Sequence, residues 1–406
     1  MTDTQLPTPI RLDEDFLQNP HQLFTQLRAQ SPVREAILPR GIKVWLVTRY
    51  DDVRTVLASP HVSKDILSAV PLLERHSTSD EPQSFEAELA LAGHMLNTDP
   101  PDHTRLRALV NKAFTPRRVE QLRTRVERAA DELLDAMAGH AEVDLLTSYA
   151  FPLPTTVICE LLGVPDTDKE EFRETSVTMT SAAQHQEMAD AAMRMVDYLT
   201  RLVESKRSDP GDDLLSALVH AREEGVGLTA DELRAMTFLL LVAGHETTVN
   251  LIGNSVHLLL RHPEQLAALR ADPALLPGAV EEVLRHEGPL NIATYRYTTK
   301  PLQLGDVLVP EDEFVMISLA SANRDGAKFP DADRLDITRD PTGHLAFGYG
   351  IHYCVGAPLA RMEGEIALRR LLDRFPGLAL ARDPEELRWR PSTLMRGLES
   401  LPVRLR

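Results

Sequence analysis

The chain has 406 residues, a formal charge of −17 and two cysteines, Cys159 and Cys354. This length buries a large core and ordinarily implies more than one domain; yet no linker, low-complexity run or internal repeat divides it, so one domain over residues 1–406 is expected. The acidic balance excludes nucleic acid as a partner, and two distant cysteines exclude a disulfide framework and fit a reducing compartment. The N-terminus has neither the basic start nor the apolar core of a signal peptide. The longest apolar stretch, Phe238 to Gly244, falls far short of the ~20 residues of a membrane span, so a cytoplasmic protein with no membrane partner is expected.

In chain order, the first clear element is Lys43 to Arg49, rich in β-branched and aromatic residues, which predicts a strand. Breakers from His76 to Gln83, and again near Pro165 and Pro210, predict loops. Val119 to Met137, Met188 to Ser205 and Ala279 to Arg285 carry apolar residues at helical spacing. Thr229 and Glu232 form a capping-box pattern, and nothing stops the helix that follows until Arg261-His262-Pro263. At 1.5 Å per residue that run is roughly 48 Å. Its middle, Ala243-Gly244-His245-Glu246-Thr247-Thr248, sets a carboxylate between two apolar runs, which is costly without a partner. Leu302 to Leu319 predicts two strands around Pro310, Glu311 and Asp312. The fold class expected is mainly α with a small β region.

The most specific segment is Phe347-Gly348-Tyr349-Gly350-Ile351-His352-Tyr353-Cys354-Val355-Gly356, followed at once by a helical pattern from Ala357 to Leu372. Glycines permit positive φ and close backbone approach, so amide N–H groups can be laid around a sulfur. The helix N-terminus beyond favours thiolate over thiol, and Phe347 can shield the sulfur from water. Three readings fit: a buried cysteine on a glycine turn, a zinc site through His344, His352 and Cys354, or axial ligation of haem iron.

Phe347 to Arg361 resembles the haem-binding signature of the cytochrome P-450 superfamily, F-G-x-G-x-H-x-C-x-G-x-x-L-A-R, at every fixed position. The resemblance implies haem b with Cys354 as the iron ligand, Phe347, Gly348 and Gly356 in the cysteine loop, and His352 near a haem propionate. It implies the cytochrome P-450 fold, with haem between the long helix and the cysteine loop. Glu282-Val283-Leu284-Arg285, taken alone an ordinary i,i+3 pair, resembles the family's Glu–Arg motif, with Arg334 as the arginine that completes a structural triad. Thr247 and Thr248 could simply bond back to carbonyls one turn earlier. Ala243 to Thr247 also resembles the oxygen-binding motif A-G-x-[DE]-T. There Gly244 would leave room for dioxygen beside Ala243, Thr247 would hydrogen-bond the oxygen species at the iron, and Glu246 would feed protons from solvent. His103 and Arg107 match a propionate-binding H-x-x-x-R pair, and Arg296 a further propionate arginine.

Between His103 and Val119 the only charged side chains besides His103 are cationic: Arg105, Arg107, Lys112, Arg117 and Arg118. The resemblance puts this helix on the face where an acidic ferredoxin docks, so ferredoxin and an NAD(P)H-dependent ferredoxin reductase are the expected electron donors, to a monomer. The substrate pocket is expected from the loop Pro60 to Leu96, the region Ser181 to Met188, Leu240, Ala243, Leu290, Asn291, Ile292, Thr294, Leu394 and Met395, a lining suited to a sizeable, mainly apolar small molecule. The pattern resembles actinobacterial members that tailor polyketides and macrolides. A peroxide-driven or non-oxygenating haem-thiolate enzyme, or a haem sensor or electron carrier, is the alternative; Glu246 and Thr247 count against each.

Overall fold

The computed structural model describes residues 8–78, 89, 91–168, 175, 185–222 and 225–406. Its N-terminal part holds β1 (Ile10–Arg11), α1 (Glu14–Gln18), α2 (Pro20–Gln30), β2 (Val33–Ile37), β3 (Lys43–Val47), α3 (Tyr50–Ala58), β4 (Val62–Ser63) and α4 (Val70–His76). A helical stretch follows: α5 (Asp102–Ala113), α6 (Pro116–Met137), strand β5 (Glu142–Asp144), α7 (Pro152–Leu162), α8 (His185–Ser208), α9 (Leu214–His220), α10 (Ala230–Arg261), α11 (Pro263–Ala271) and α12 (Leu276–Glu287). The rest comprises β6 (Tyr297–Thr298), β7 (Leu302–Leu304), β8 (Val307–Val309), β9 (Val315–Ile317), α13 (Leu319–Asn323), α14 (Ala357–Arg374), β10 (Ala379–Leu380) and β11 (Pro402–Arg404).

The strand region is small and mixed. One sheet runs β1-β2-β3-β9, with β3 and β9 parallel although they are far apart in sequence. Residues 302–319 hold three strands where two were expected. The tight turn is Gly305-Asp306, with Gly305 at positive φ, joining β7 to β8; Pro310 to Asp312 only leads on to β9. A two-residue glycine turn suits the twist of a hairpin better than a proline does.

Thr229 caps α10 as the sequence predicts: its hydroxyl accepts from Glu232 N, and the Glu232 carboxylate accepts from Thr229 N. By length and apolarity alone α10 could cross a membrane, but 72% of its most apolar window is buried. It is the central helix, packed against α7, α12 and α14 in the largest apolar cluster. Cys159 lies in that cluster. Two smaller clusters, one around Val47 and Val315 and one around Phe24 and Phe314, flank the β1-β2-β3-β9 sheet.

Candidate active site

Gly348 and Gly350 both take φ of +76°, and a Cβ on Gly350 would stand 2.9 Å from the Leu57 carbonyl oxygen. These glycines let the chain double back so that Cys354 N donates to Phe347 O at 2.9 Å. The Cys354 sulfur accepts from the amide N–H groups of Gly356 and Ala357, where α14 begins, and feels the charges of Arg107 and Arg361. Burial nevertheless outweighs these and pushes the thiol up from its ordinary value. The loop alone therefore does not hold a free thiolate; a bound metal cation would deprotonate the sulfur outright. Cys354 is closely surrounded yet retains accessible surface. The Phe347 ring lies 4.5 Å under the Arg361 guanidinium.

The zinc reading fails on geometry. Both ring nitrogens of His344 are engaged, Nε2 with Glu281 at 3.0 Å and Nδ1 with Ala346 N at 3.2 Å. Among the described residues no group of three ligand-type side chains converges.

On α10, Ala243 is exposed and Thr247 half-buried although the helix on either side of them is buried, so this face also meets open space. Thr247 Oγ1 donates to Ala243 O at 2.7 Å and Thr248 Oγ1 to Gly244 O at 3.4 Å. At Gly244 a Cβ would stand 2.8 Å from Ile158 Cδ1 of α7, so the missing side chain allows the close approach of two helices. The buried Glu246 carboxylate accepts from Arg390 at 3.3 Å. His245 is buried; its Nδ1 bonds Leu241 O at 2.8 Å, its ring meets Phe151 edge-on, and burial lowers its pKa.

Beside the cysteine loop the His103 and His352 rings approach to 4.3 Å, and the buried His103 Nε2 has no partner. Burial, then the charges of Lys64, His103, Arg296 and Arg107, pushes His352 down to about 2. Arg296 is buried and lowered to about 10 by that burial; it donates only to the Thr294 carbonyl, at 2.9 Å. An orphaned imidazole and buried guanidinium call for anions. An accessible sulfur below amide donors calls for a metal. The residues present thus fit haem b: Cys354 would hold its iron, and His103, Arg107, Arg296 and His352 would meet its propionates.

Behind the loop Arg285 is 0% exposed and clamps Glu282 through two bonds of 2.7 and 2.8 Å. It also donates to the carbonyls of Asn323 and Ala332, and Asn323 Oδ1 accepts from Leu345 N at the start of the cysteine loop. The second arginine on Glu282 is Arg339, at 3.4 Å, not Arg334. Arg334 is exposed, and it is its carbonyl that Arg285 and Arg339 reach.

Of the expected pocket residues, the structure joins two groups: Asn291 N donates to Leu394 O at 2.9 Å, and Leu290 bridges Met395. Asn291 is 1% exposed with neither side-chain polar atom partnered. Leu240 is buried on α10, and Leu290, Leu394 and Met395 are half-buried. Ile292 is 0% exposed and belongs to the cluster around Phe314, so it faces the core and not a pocket. The Thr294 hydroxyl is taken by Lys64 Nζ. Ser181 to Gln184, and residues 79–88 and 90 of the loop Pro60 to Leu96, lie outside the described residues. A cleft of about 870 Å³ between His257, Arg261, Glu287 and Trp389 includes none of these residues.

Comparison with known proteins agrees with this geometry. The family model for cytochrome P-450 matches residues 172–388, more than half of the chain. Cytochrome P-450 107B1 of Saccharopolyspora erythraea is 53% identical over 405 residues, covering 100% of this chain and 99% of its own length. The 6-deoxyerythronolide B hydroxylase of the same organism is 42% identical over 388 residues, covering 95% of this chain and 96% of its own. Among solved structures, the tirandamycin C-bound monooxygenase TamI superimposes with a TM-score of 0.90 at 49% identity, covering 98% of this chain and 100% of that one.

Proposed function

The chain belongs to the cytochrome P-450 family, monooxygenases that carry haem b on a cysteine thiolate, and from that premise we propose a hydroxylase of a sizeable, mainly apolar polyketide or macrolide. Relatives named for 6-deoxyerythronolide B hydroxylation and for binding tirandamycin C support the substrate class. So do the half-buried apolar side chains of Leu290, Leu394 and Met395, on two segments that the structure brings together.

Bound haem supplies the iron at which dioxygen is activated, and this chain's residues hold that iron and manage the protons. Cys354 is the ligand in this reading; the Gly356 and Ala357 amides orient its sulfur, and the Glu282–Arg285 clamp fixes the loop from behind. Glu246 moves protons inward. Its partner Arg390 is 31% exposed at the side chain and so links the buried carboxylate to solvent. Thr247 receives the proton at Oγ1, and passing one on requires its own hydrogen to leave the Ala243 carbonyl. This buried acid beside an accessible alcohol, tied to solvent through an arginine, is the observation that carries the reading.

Electrons come from a ferredoxin served by an NAD(P)H-dependent reductase. Exposed Tyr349, Ile351 and Tyr353 cover the outer side of the cysteine loop, and exposed Arg117 at the start of α6 adds positive charge; together they make an apolar centre with a basic flank for an acidic protein. Arg105 does not serve there, since it pairs with Glu232. Thr247→Ala tests the proton role: haem content stays, while product per NAD(P)H falls and hydrogen peroxide rises. An unchanged yield removes Thr247 from proton delivery, and turnover of Thr247→Ala and wild type alike with peroxide alone favours a peroxide-driven enzyme.

A further inference from the structure

Lys64, just after β4, is 3% exposed. Its ammonium donates to Thr294 Oγ1 at 2.5 Å and to Tyr295 O at 3.5 Å, both neutral acceptors. Asp99 is the nearest carboxylate to act on it, yet its oxygens are turned to the Ser63 hydroxyl and the Lys64 backbone N–H, not to Nζ. Buried ammonium without an anion is costly enough that lysine ordinarily gives up its proton there.

The same ammonium lies within electrostatic reach of Arg296, His352 and His94. His94 is itself buried with Nδ1 unpartnered. Around this corner stand two guanidinium groups, Arg107 and Arg296, and the Lys64 amine, which is a third cation when an anion faces it. Among the described residues none of them has a carboxylate oxygen within 4.0 Å; Asp99 is the carboxylate whose charge Lys64 and His103 feel, and Arg107 feels the Cys354 sulfur. With Lys64 protonated, two positive charges are left without a counterpart. Haem b brings two propionates, while its ferric porphyrin core and the thiolate cancel one another. Arg107 and Arg296 set against Asp99 would leave only one charge for two carboxylates; Lys64 closes the balance.

We infer that Lys64 is a haem-propionate ligand, and that through it the segment between β4 and α4 is latched to the cofactor. This rests on the reading of Cys354, His103, Arg107 and Arg296 as the haem-facing set. With the propionate in place the ammonium keeps its proton, and the segment that leads from β4 into the pocket loop is held from inside.

The test uses holoenzyme of wild type, Lys64→Gln, Lys64→Arg and Asp99→Asn, reading haem transfer to excess apomyoglobin and the ferric/ferrous reduction potential. Glutamine keeps a donor for Thr294 but removes the charge. Loss of one charge-assisted hydrogen bond predicts haem release roughly tenfold faster in Lys64→Gln. Its potential should fall, since a positive charge near the iron favours the reduced state. Lys64→Arg should stay near wild type, and Asp99→Asn should shift the potential the opposite way, upward. Should Lys64→Gln yield no holoprotein, the sign of the Asp99→Asn shift decides. Wild-type release and potential in Lys64→Gln would overturn the assignment; faster release with an unmoved potential would also overturn it, leaving only packing. A thiolate-type carbon monoxide band in every variant keeps the haem-thiolate reading intact in either case, so the two failures are distinguishable.

Discussion

Arg339, and not Arg334, should carry the second arginine's share of stability behind the haem. The Arg339 side chain is 13% exposed and reaches Glu282 at 3.4 Å, Asp331 O at 3.1 Å and Arg334 O at 3.3 Å, with a further bond to Pro330 O. The contacts that exceed 3.0 Å are weak, and the exposed carbonyls regain water when the guanidinium goes, so each is worth about 0.5 kcal/mol and the set about 2 kcal/mol. Glu282 loses little more, because it keeps both Arg285 bonds and the Asp336 N–H. Arg339→Ala should thus lower the thermal midpoint of the holoenzyme by about 2–4 °C, followed by loss of the Soret band on heating. Arg334→Ala removes only an exposed side chain and leaves its carbonyl in place, so its effect should stay within about 0.5 kcal/mol. If Arg334→Ala proved as costly as Arg339→Ala, the geometry argued for Glu282 would be wrong.

Gly244→Ala sets about 1–3 kcal/mol of overpacking against a gain of about 1 kcal/mol in helix propensity, and Ile158→Val, which deletes the Cδ1 atom 2.8 Å away, should recover much of the loss. An identical cost in both backgrounds, by denaturant unfolding, would mean that Gly244 serves something other than the α7–α10 contact. Glu281 is raised by burial, but hydrogen bonds from His344 and Arg361 bring it down to about 2. Since its folded value lies below the ordinary 4.5, it stabilises above that pH and the contribution is lost as pH falls from 4.5 toward 2. Glu281→Gln should flatten the acid limb of the stability profile, and an unchanged limb would remove Glu281 from it. Arg117→Glu should raise the ferredoxin concentration needed for half-maximal turnover by several-fold at low salt and by less at high salt. Salt-independent, wild-type behaviour would place the docking surface elsewhere.

The features legible in the sequence are those set by short-range spacing. Three glycines, a histidine and a cysteine between Phe347 and Gly356 could be read as a metal-ligand loop because the glycine φ values and the helix start are local properties. The capping box at Thr229 and Glu232 is local too, and so placed the start of α10. What could not be read depends on partners distant in sequence. Spacing puts Gly244 on α10 but not the side on which Ile158 arrives; it puts Thr294 near the pocket but cannot show that Lys64 takes its hydroxyl. Glu246 was singled out as a carboxylate needing a partner, yet that partner, Arg390, lies 144 residues on in an irregular segment with no periodicity to mark it. Ile292 is a further case: only the cluster around Phe314, distant in sequence, shows that its side chain belongs to the core.

Thiolate ligation by Cys354 is tested most directly by the carbon monoxide difference spectrum of the dithionite-reduced protein, recorded beside Cys354→Ser. A strongly red-shifted Soret band in the wild type, absent from the serine variant, is the result expected of an iron held by this sulfur. A fresh, haem-replete wild type without that band, or a serine variant that keeps it, would mean that Cys354 does not hold the iron, and the proton route and cation corner built around it would lose their centre.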